Sequence, residues 1–274
     1  MNILNIMAIG AHPDDCDFSF GGTAIKFKKQ GHHVMFLSMT NGCSGHHSTP
    51  GPAMASRRFG ETQAVSKLTG IDYKMTDIPD GSLTTELRYR DLLMREIRAY
   101  KPDLIFTHRP NDYHPDHRST GTLVMDCSYL AVVPHIVPDS PPLGKMPFIF
   151  YVYDKFSFPT PFVPSVVVSI DDVMDQKTAM LNCHASQVYE WLPWVGGYAS
   201  EIPPEQDSNG RFLWLKAYLS GRSRKQEIAG MYQDLVDKRY GTKKAKEILN
   251  CEAFQLSEYG AQEKPEVLDK LFPY

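Results

Sequence analysis

The sequence predicts an α/β fold: a doubly wound, mainly parallel sheet with helices on both faces. Three observations predict it. The chain opens on an apolar run, Ile3–Gly10, long enough to be a strand buried on both faces. Strand-like and helix-like segments then alternate through the first half, which implies parallel βαβ units. The residues richest in chemistry also fall directly after two of the predicted strands, where open α/β sheets bind their ligands.

The elements follow in order. After Ile3–Gly10, the Gly21-Gly22-Thr23 segment opens a short helical pattern that stops at Gly31. His33–Met39 reads as the second strand, and Asn41–Pro52 as a Gly/Ser/Pro loop. Met54–Leu68 has helical spacing and ends near Gly70. A weaker strand is expected over Tyr73–Ile78, followed by a Pro79-Asp80-Gly81 turn. Leu87–Tyr100 is an amphipathic helix stopped by Pro102. Asp103–Thr107 is a short strand, Arg109–Pro115 a polar loop, and Asp116–Val132 a helix. Farther on, Phe148–Tyr153 and Val166–Ile170 read as strands, and Asp171-Asp172 caps a long helix through Val188. Glu190–Asn209 reads as a Trp/Gly/Pro-rich loop and Phe212–Tyr240 as helix. Without an internal repeat or a clean linker, residues 1–274 are expected to form one domain, elaborated over about 190–274.

Composition narrows the function classes. The 274 residues carry 29 Lys+Arg against 32 Asp+Glu, a formal charge of −3. That balance argues against a dedicated nucleic-acid binder, whose footprint is a basic excess. Five scattered cysteines (Cys16, Cys43, Cys127, Cys183, Cys251) never form C-x-x-C. They suit a reduced, cytoplasmic protein and argue against a disulfide framework or a thiolate zinc site. Met1–Ala11 lacks a basic leader and is read as a strand rather than a signal peptide. No stretch approaches the ~18–20 apolar residues of a membrane span.

Two clusters carry the chemistry. Gly10-Ala11-His12-Pro13-Asp14-Asp15 follows the first strand, and Asp112-Tyr113-His114-Pro115-Asp116-His117 follows the Asp103–Thr107 strand. A dinucleotide fold would place G-x-G-x-x-G after strand one, whereas here that turn carries His and Asp. Histidine with carboxylate is the usual donor set of a catalytic zinc, with three protein ligands and one position for water. His12 and Asp15 can converge on one ion and His117 can supply the third ligand. Asp14 then remains as general base beside the metal, His114 as proton or hydrogen-bond donor, and Asp116 as the group that orients His114. A lone H-x-x-H is expected by chance about 0.4 times in a chain with this many histidines, so the pairing of the two clusters carries the weight.

With these residues on the page, the chain resembles the PIG-L/LmbE-like family of zinc-dependent N-acetylglucosaminyl deacetylases. The likeness rests on Ala11-His12-Pro13-Asp14-Asp15 with Gly21-Gly22-Thr23, paired with His114-Pro115-Asp116-His117. Arg58-x-x-Glu61, Lys177 with His184-x-Ser186-Gln187, and Glu252-Ala253-Phe254 support it. The resemblance implies a Rossmann-like fold, one zinc ion per chain, and hydrolysis of an acetamide on a small N-acetylated amino sugar. It assigns zinc to His12, Asp15 and His117, the base to Asp14, and acid or oxyanion stabilisation to His114 backed by Asp116. It gives Arg58 the substrate carbonyl, and it makes a homo-oligomer a common state. Cys16-Asp17 stands where many members have a nearby Glu.

Other candidates are weaker. His184 reads equally as a packed residue, Lys177 as structural, His46-His47 as an exposed pair, and Lys243, Lys244 and Lys246 as a solvated face. Trp191, Trp194 and Tyr198 read either as a sugar-stacking surface or as a loop packed on its own domain. Cys16 and Cys43 lack the His partner a thiol nucleophile needs. The rival readings are an amidase on another N-acyl conjugate, a non-catalytic sugar- or nucleotide-binding module, and a metal phosphoesterase. The last wants more carboxylate ligands than these clusters supply.

Overall fold

The computed structural model describes residues 2–49, 51–221 and 225–274, with only the backbone at positions 225 and 226. Five parallel strands come first: β1 (Asn5–Gly10), β2 (His33–Ser38), β3 (Asp72–Met75), β4 (Leu104–Thr107) and β5 (Phe148–Val152). Helices α1 (Asp15–Lys29), α2 (Gly51–Thr69), α3 (Leu87–Tyr100) and α4 (Pro115–Leu130) connect the first four of them and lead on from β4. With β6 (Val166–Ser169) and β7 (Cys251–Leu256), the sheet order is β3-β2-β1-β4-β5-β7-β6, so the winding reverses between β1 and β4.

The period-2 geometry of a buried strand builds two cores from one sheet. Ile6 and Ala8 of β1 pack with Phe20, Ala24 and Phe27 of α1 and Val65 of α2. Met7 and Ile9 point the other way, onto Leu93, Met94 and Ile97 of α3 and Leu123 and Val124 of α4. The α/β fold with a mainly parallel sheet and helices on both faces is therefore as the sequence predicts.

The differences from the sequence reading have physical causes. Helix α1 begins at Asp15, not at Gly21, because the first cluster itself forms the helix start, with the Phe18 N–H donating to the Asp14 carbonyl at 2.9 Å. The glycine pair sits inside α1 at a point of close packing: a Cβ on Gly22 would lie 2.7 Å from Ile170. The expected long helix through Val188 is a 3-10 turn, Asp171–Val173, then α5 (Met174–Asn182), a break at His184, and a π-helical turn, Ser186–Trp191. Glu61 draws the chain out of register there by accepting from the Ser186 N–H at 2.8 Å and its hydroxyl at 2.7 Å.

The expected loop at Glu190–Asn209 contains α6 (Leu192–Val195), and the expected helix over Phe212–Tyr240 is three: α7 (Ser208–Gly221), α8 (Lys225–Met231) and α9 (Gln233–Tyr240). Residues 222–224 of that call lie outside the described residues, as do Met1 of the N-terminal run and Pro50 of the Asn41–Pro52 loop. Short helices α10 (Thr242–Ala245) and α11 (Pro265–Asp269) complete the chain.

Strand β7 (Cys251–Leu256) has no counterpart in the sequence reading; it runs antiparallel between β5 and β6 (Val166–Ser169). The charged Glu252, second in the strand, hides it, because a carboxylate inside a buried strand must be paired. Here it is: Glu252 and Lys177 are both fully buried and ion-paired. The remaining carboxylate capacity accepts the Gly22 and Thr23 N–H groups of α1 at 3.0 and 2.8 Å. No described helix is long and apolar enough to cross a membrane.

Candidate metal centre and active site

The two sequence clusters meet where the winding reverses, at the carboxyl ends of β1 and β4, the position the topology favours for a ligand. Gly10 lets the chain fold back there, since a Cβ on it would lie 2.8 Å from that of Asp15. The Asp15 Oδ2 atom then accepts from the Ala11 and His12 N–H groups at 2.9 and 2.7 Å.

Three expected ligands present one atom each to a common point. His12 Nδ1 is 3.2 Å from His117 Nε2 and 3.5 Å from Asp15 Oδ2, and the latter two are 3.4 Å apart. A tetrahedral ion with bonds of roughly 2.0–2.1 Å has ligand–ligand edges of about 3.3–3.4 Å, so this triangle fits a divalent cation. The outer nitrogens also face carboxylates, as those of metal-binding imidazoles commonly do. His117 Nδ1 lies 3.2 Å from Asp112 Oδ1. His12 Nε2 lies 3.1 Å from Asp80 Oδ1 and 3.3 Å from Asp116 Oδ2.

That last contact corrects one expectation. The Asp116 carboxylate does not stand behind His114. It is fully buried, accepts from the Gly81 and Leu83 N–H groups at 2.7 and 3.2 Å, and faces His12. Only its backbone reaches His114: the Asp116 N–H donates to His114 Nδ1 at 3.2 Å, making His114 the N-cap of α4. Capping fixes the tautomer, so a neutral His114 carries its proton on Nε2.

Arg58 also lies elsewhere than a substrate arm would. Its side chain is buried, with Nη2 2.9 Å from Asp14 Oδ1 and 3.0 Å from the Pro13 carbonyl. The guanidinium is a strut beneath Asp14. Its Nε atom has no hydrogen-bond partner among the described residues.

Sequence reasoning gave no role to three contributors: His108, Asp112 (quoted only as part of the second cluster) and Asp80. His108 Nε2 lies 3.2 Å from Asp15 Oδ2, and its ring stacks on His117 at 4.0 Å. His108 directly follows β4, which was the available signal. Asp80 sits in a Pro-Asp-Gly turn, and its role is visible only once α2 and β3 are placed.

The electrostatics are those of a cation site. Burial pushes the His12 imidazole down, but Asp116, Asp15 and Asp80 outweigh it and hold its pKa well above the usual value. Burial likewise opposes charge on His117, yet Asp15 and Asp112 bring it to about 9. Burial alone would raise Asp15, Asp80, Asp112 and Asp116; neighbouring histidines lower all four, joined by Arg58 at Asp80 and by backbone N–H donors at Asp112 and Asp116. Burial, His12 and His117 hold His114 below its ordinary value. His12 and His117, whose pKa values these carboxylates raise, would give up their protons to a bound metal ion.

Comparison with known proteins is consistent with this geometry. The family model described as "PIG-L: GlcNAc-PI de-N-acetylase" matches residues 7–128, a stretch containing both clusters and Arg58. The diacetylchitobiose deacetylase of Thermococcus kodakarensis is 28% identical over 206 residues, covering 70% of this chain and 74% of its own. Among solved structures, the N,N'-diacetylchitobiose deacetylase from Pyrococcus horikoshii superposes with a TM-score of 0.69 at 23% identity, covering 93% of this chain and 84% of that one. The 4-carboxy-2-hydroxymuconate hydratase from Pseudomonas putida gives 0.72 at 18% identity, covering 94% and 98%. At those identities the structural likenesses speak to the fold.

Proposed function

Taking residues 7–128 as the PIG-L region of this chain, we propose that the protein is a zinc-dependent hydrolase. It removes the acetyl group from a small N-acetylated amino sugar or its glycoside. The observation that carries the reading is the triangle of His12 Nδ1, Asp15 Oδ2 and His117 Nε2, with edges of 3.2–3.5 Å, beside Asp14 and His114. The Thermococcus kodakarensis relative, named as a diacetylchitobiose deacetylase, supports the substrate class. The reduced cysteines favour a cytoplasmic setting.

His12, Asp15 and His117 would hold the ion. When bound, it supplies Lewis acidity, which makes water a usable nucleophile near neutral pH and polarises the amide carbonyl. The chain's own groups do the rest. Asp14, held in place by Arg58, accepts a proton from the attacking water. His114 meets the developing oxyanion with its Nε2–H, as a neutral donor whose tautomer is set by the Asp116 N–H. The proton on Asp14 then passes to the nitrogen as the C–N bond breaks, leaving acetate and a free amine. Asp116 and Asp112 orient His12 and His117 and touch no reacting atom.

The test is metal analysis of purified protein together with acetate release from N-acetylglucosamine and its glycosides. A stoichiometric divalent metal and chelator-sensitive acetate release are expected. Protein that takes up no metal, and releases no acetate when zinc is supplied, would refute the proposal.

A further inference from the structure

Two stretches stand out in the sequence beyond the His-Pro-Asp clusters, Arg58-x-x-Glu61 and His184-x-Ser186-Gln187. Of these residues the proposed mechanism uses only Arg58, the strut beneath Asp14. Arg58 is 2% exposed, and its contacts to Asp14 and to the Pro13 carbonyl both leave through Nη2, at 2.9 and 3.0 Å. Two contacts from one nitrogen fix a point, and a planar fork anchored at a point can still tilt. Nε cannot steady the plane, since it has no hydrogen-bond partner among the described residues.

Backbone steadies it instead. Gly42 and Gly45 of the β2–α2 loop lie against the guanidinium. A Cβ on Gly42 would be 2.7 Å from Arg58 Cδ and 3.0 Å from Cζ, and one on Gly45 would be 3.0 Å from Nη1. Such a wall holds only as well as the loop is held. The buried Gln187 side chain ties it down: Nε2 donates to the Gly45 carbonyl at 3.0 Å and to the Ser186 hydroxyl at 3.1 Å. Ser186 is seated on Glu61 through its N–H and its hydroxyl, at 2.8 and 2.7 Å. Farther along the loop, His46 Nε2 lies 2.9 Å from Glu190 of the same turn.

These contacts form a closed circuit. Glu61 lies about one turn from Arg58 on α2, so the helix that carries the strut also carries the carboxylate that shapes the π-helical turn. That turn returns Gln187 to the loop backing Arg58. Single π-helical turns give up regular hydrogen bonding and occur often at functional sites. We propose that Gln187 is a positioning residue of the active site: through Gly45 it keeps the Arg58 guanidinium against Asp14, and so holds that carboxylate in the orientation a general base needs. The assignment rests on the deacetylase reading and adds to it a residue that touches no reacting atom.

The experiment joins steady-state kinetics on N-acetylglucosamine to nuclear magnetic resonance of arginine-labelled protein, for the zinc-loaded parent, Gln187→Leu and Gly45→Ala. Gln187→Leu removes the donor at nearly constant volume. It is expected to lower kcat about tenfold to a hundredfold, with KM and metal content unchanged. In the parent, the Arg58 Nη–H signals, identified by their absence in Arg58→Lys, are expected to be resolved, because a clamped guanidinium turns slowly about Nε–Cζ. In Gln187→Leu they are expected to broaden or merge. Gly45→Ala leaves the Gln187 amide in place and presses a methyl group on Nη1. It is expected to lower kcat in the same way, and it carries the test if Gln187→Leu does not fold.

A guanidinium that turns freely in the parent, or stays clamped in Gln187→Leu, would overturn the assignment, as would an unaltered kcat in the folded variants. Signals that merge in Gln187→Leu when the parent releases no acetate would uphold the clamp and reject the deacetylase. Acetate release that neither variant slows would do the reverse.

Discussion

At the scale of single residues, the proposed mechanism separates groups that would touch the reacting atoms from groups that would hold them. Asp14 belongs to the first kind, and Asp14→Asn is expected to lower kcat by about 10²–10⁴ with metal content unchanged, measured by steady-state rates beside metal analysis. Asp116 belongs to the second, because its carboxylate faces His12 Nε2 at 3.3 Å. Asp116→Asn should weaken metal affinity roughly 10–100-fold, as read by competition with a chelator. A loss of rate at undiminished metal affinity would return Asp116 to a role in proton transfer. His117 links the site to pH. A pKa raised from 6.5 to about 9 stabilises the fold fully below 6.5, and that contribution disappears as pH rises through 9. The chelator-treated protein should therefore lose thermal stability from about pH 6.5 to 9, whereas zinc-loaded protein, whose imidazole is already neutral, should not. A metal-free melting temperature that stays flat across this window would contradict the assigned proton.

At the scale of elements, α1 and α4 aim the chemistry, and each depends on one tight contact. Gly121 of α4 packs against the backbone after β4: a Cβ there would lie 2.5 Å from the His108 carbonyl oxygen and 3.0 Å from the Arg109 carbonyl carbon. Backbone cannot swing aside as a side chain can, so Gly121→Ala should cost about 1–3 kcal/mol in denaturant unfolding. It should also weaken metal binding, because α4 carries His117. Helix α1 is held by the buried Lys177–Glu252 pair, with Lys177 also donating to the Phe18 carbonyl at 2.7 Å. Removing one charge strands the other, so Lys177→Met should cost roughly 3–5 kcal/mol, and adding Glu252→Gln should recover part of it. Most elements of the first half were legible because alternation and helical periodicity are local properties. The π-helical turn at Ser186–Trp191 was not, because Glu61, distant in sequence, supplies the hydrogen bonds that reshape it. Strand β7 was hidden for the same kind of reason, its buried Glu252 carboxylate being acceptable only beside Lys177.

At the scale of the whole molecule, β7 binds the end of the chain into the sheet, between β5 and β6. A protein truncated before Cys251 would leave two unpaired strand edges and a buried lysine without its partner, so it should be insoluble or molten by near-UV circular dichroism. A soluble, metal-binding truncation would instead mark the first part as an independent domain, against the single domain expected for residues 1–274. The sequence by itself determined the α/β class, the two His-Pro-Asp clusters at strand ends, and the family likeness, because each is written in local order and spacing. Only the tertiary structure decided which partner each group meets. It turned Asp116 toward His12, placed Arg58 under Asp14, and brought His108, Asp112 and Asp80 into the site. The physical reason is that strand order is set by the packing of helices on both faces of the sheet. That packing fixes which distant carboxylates and imidazoles share one low-dielectric space.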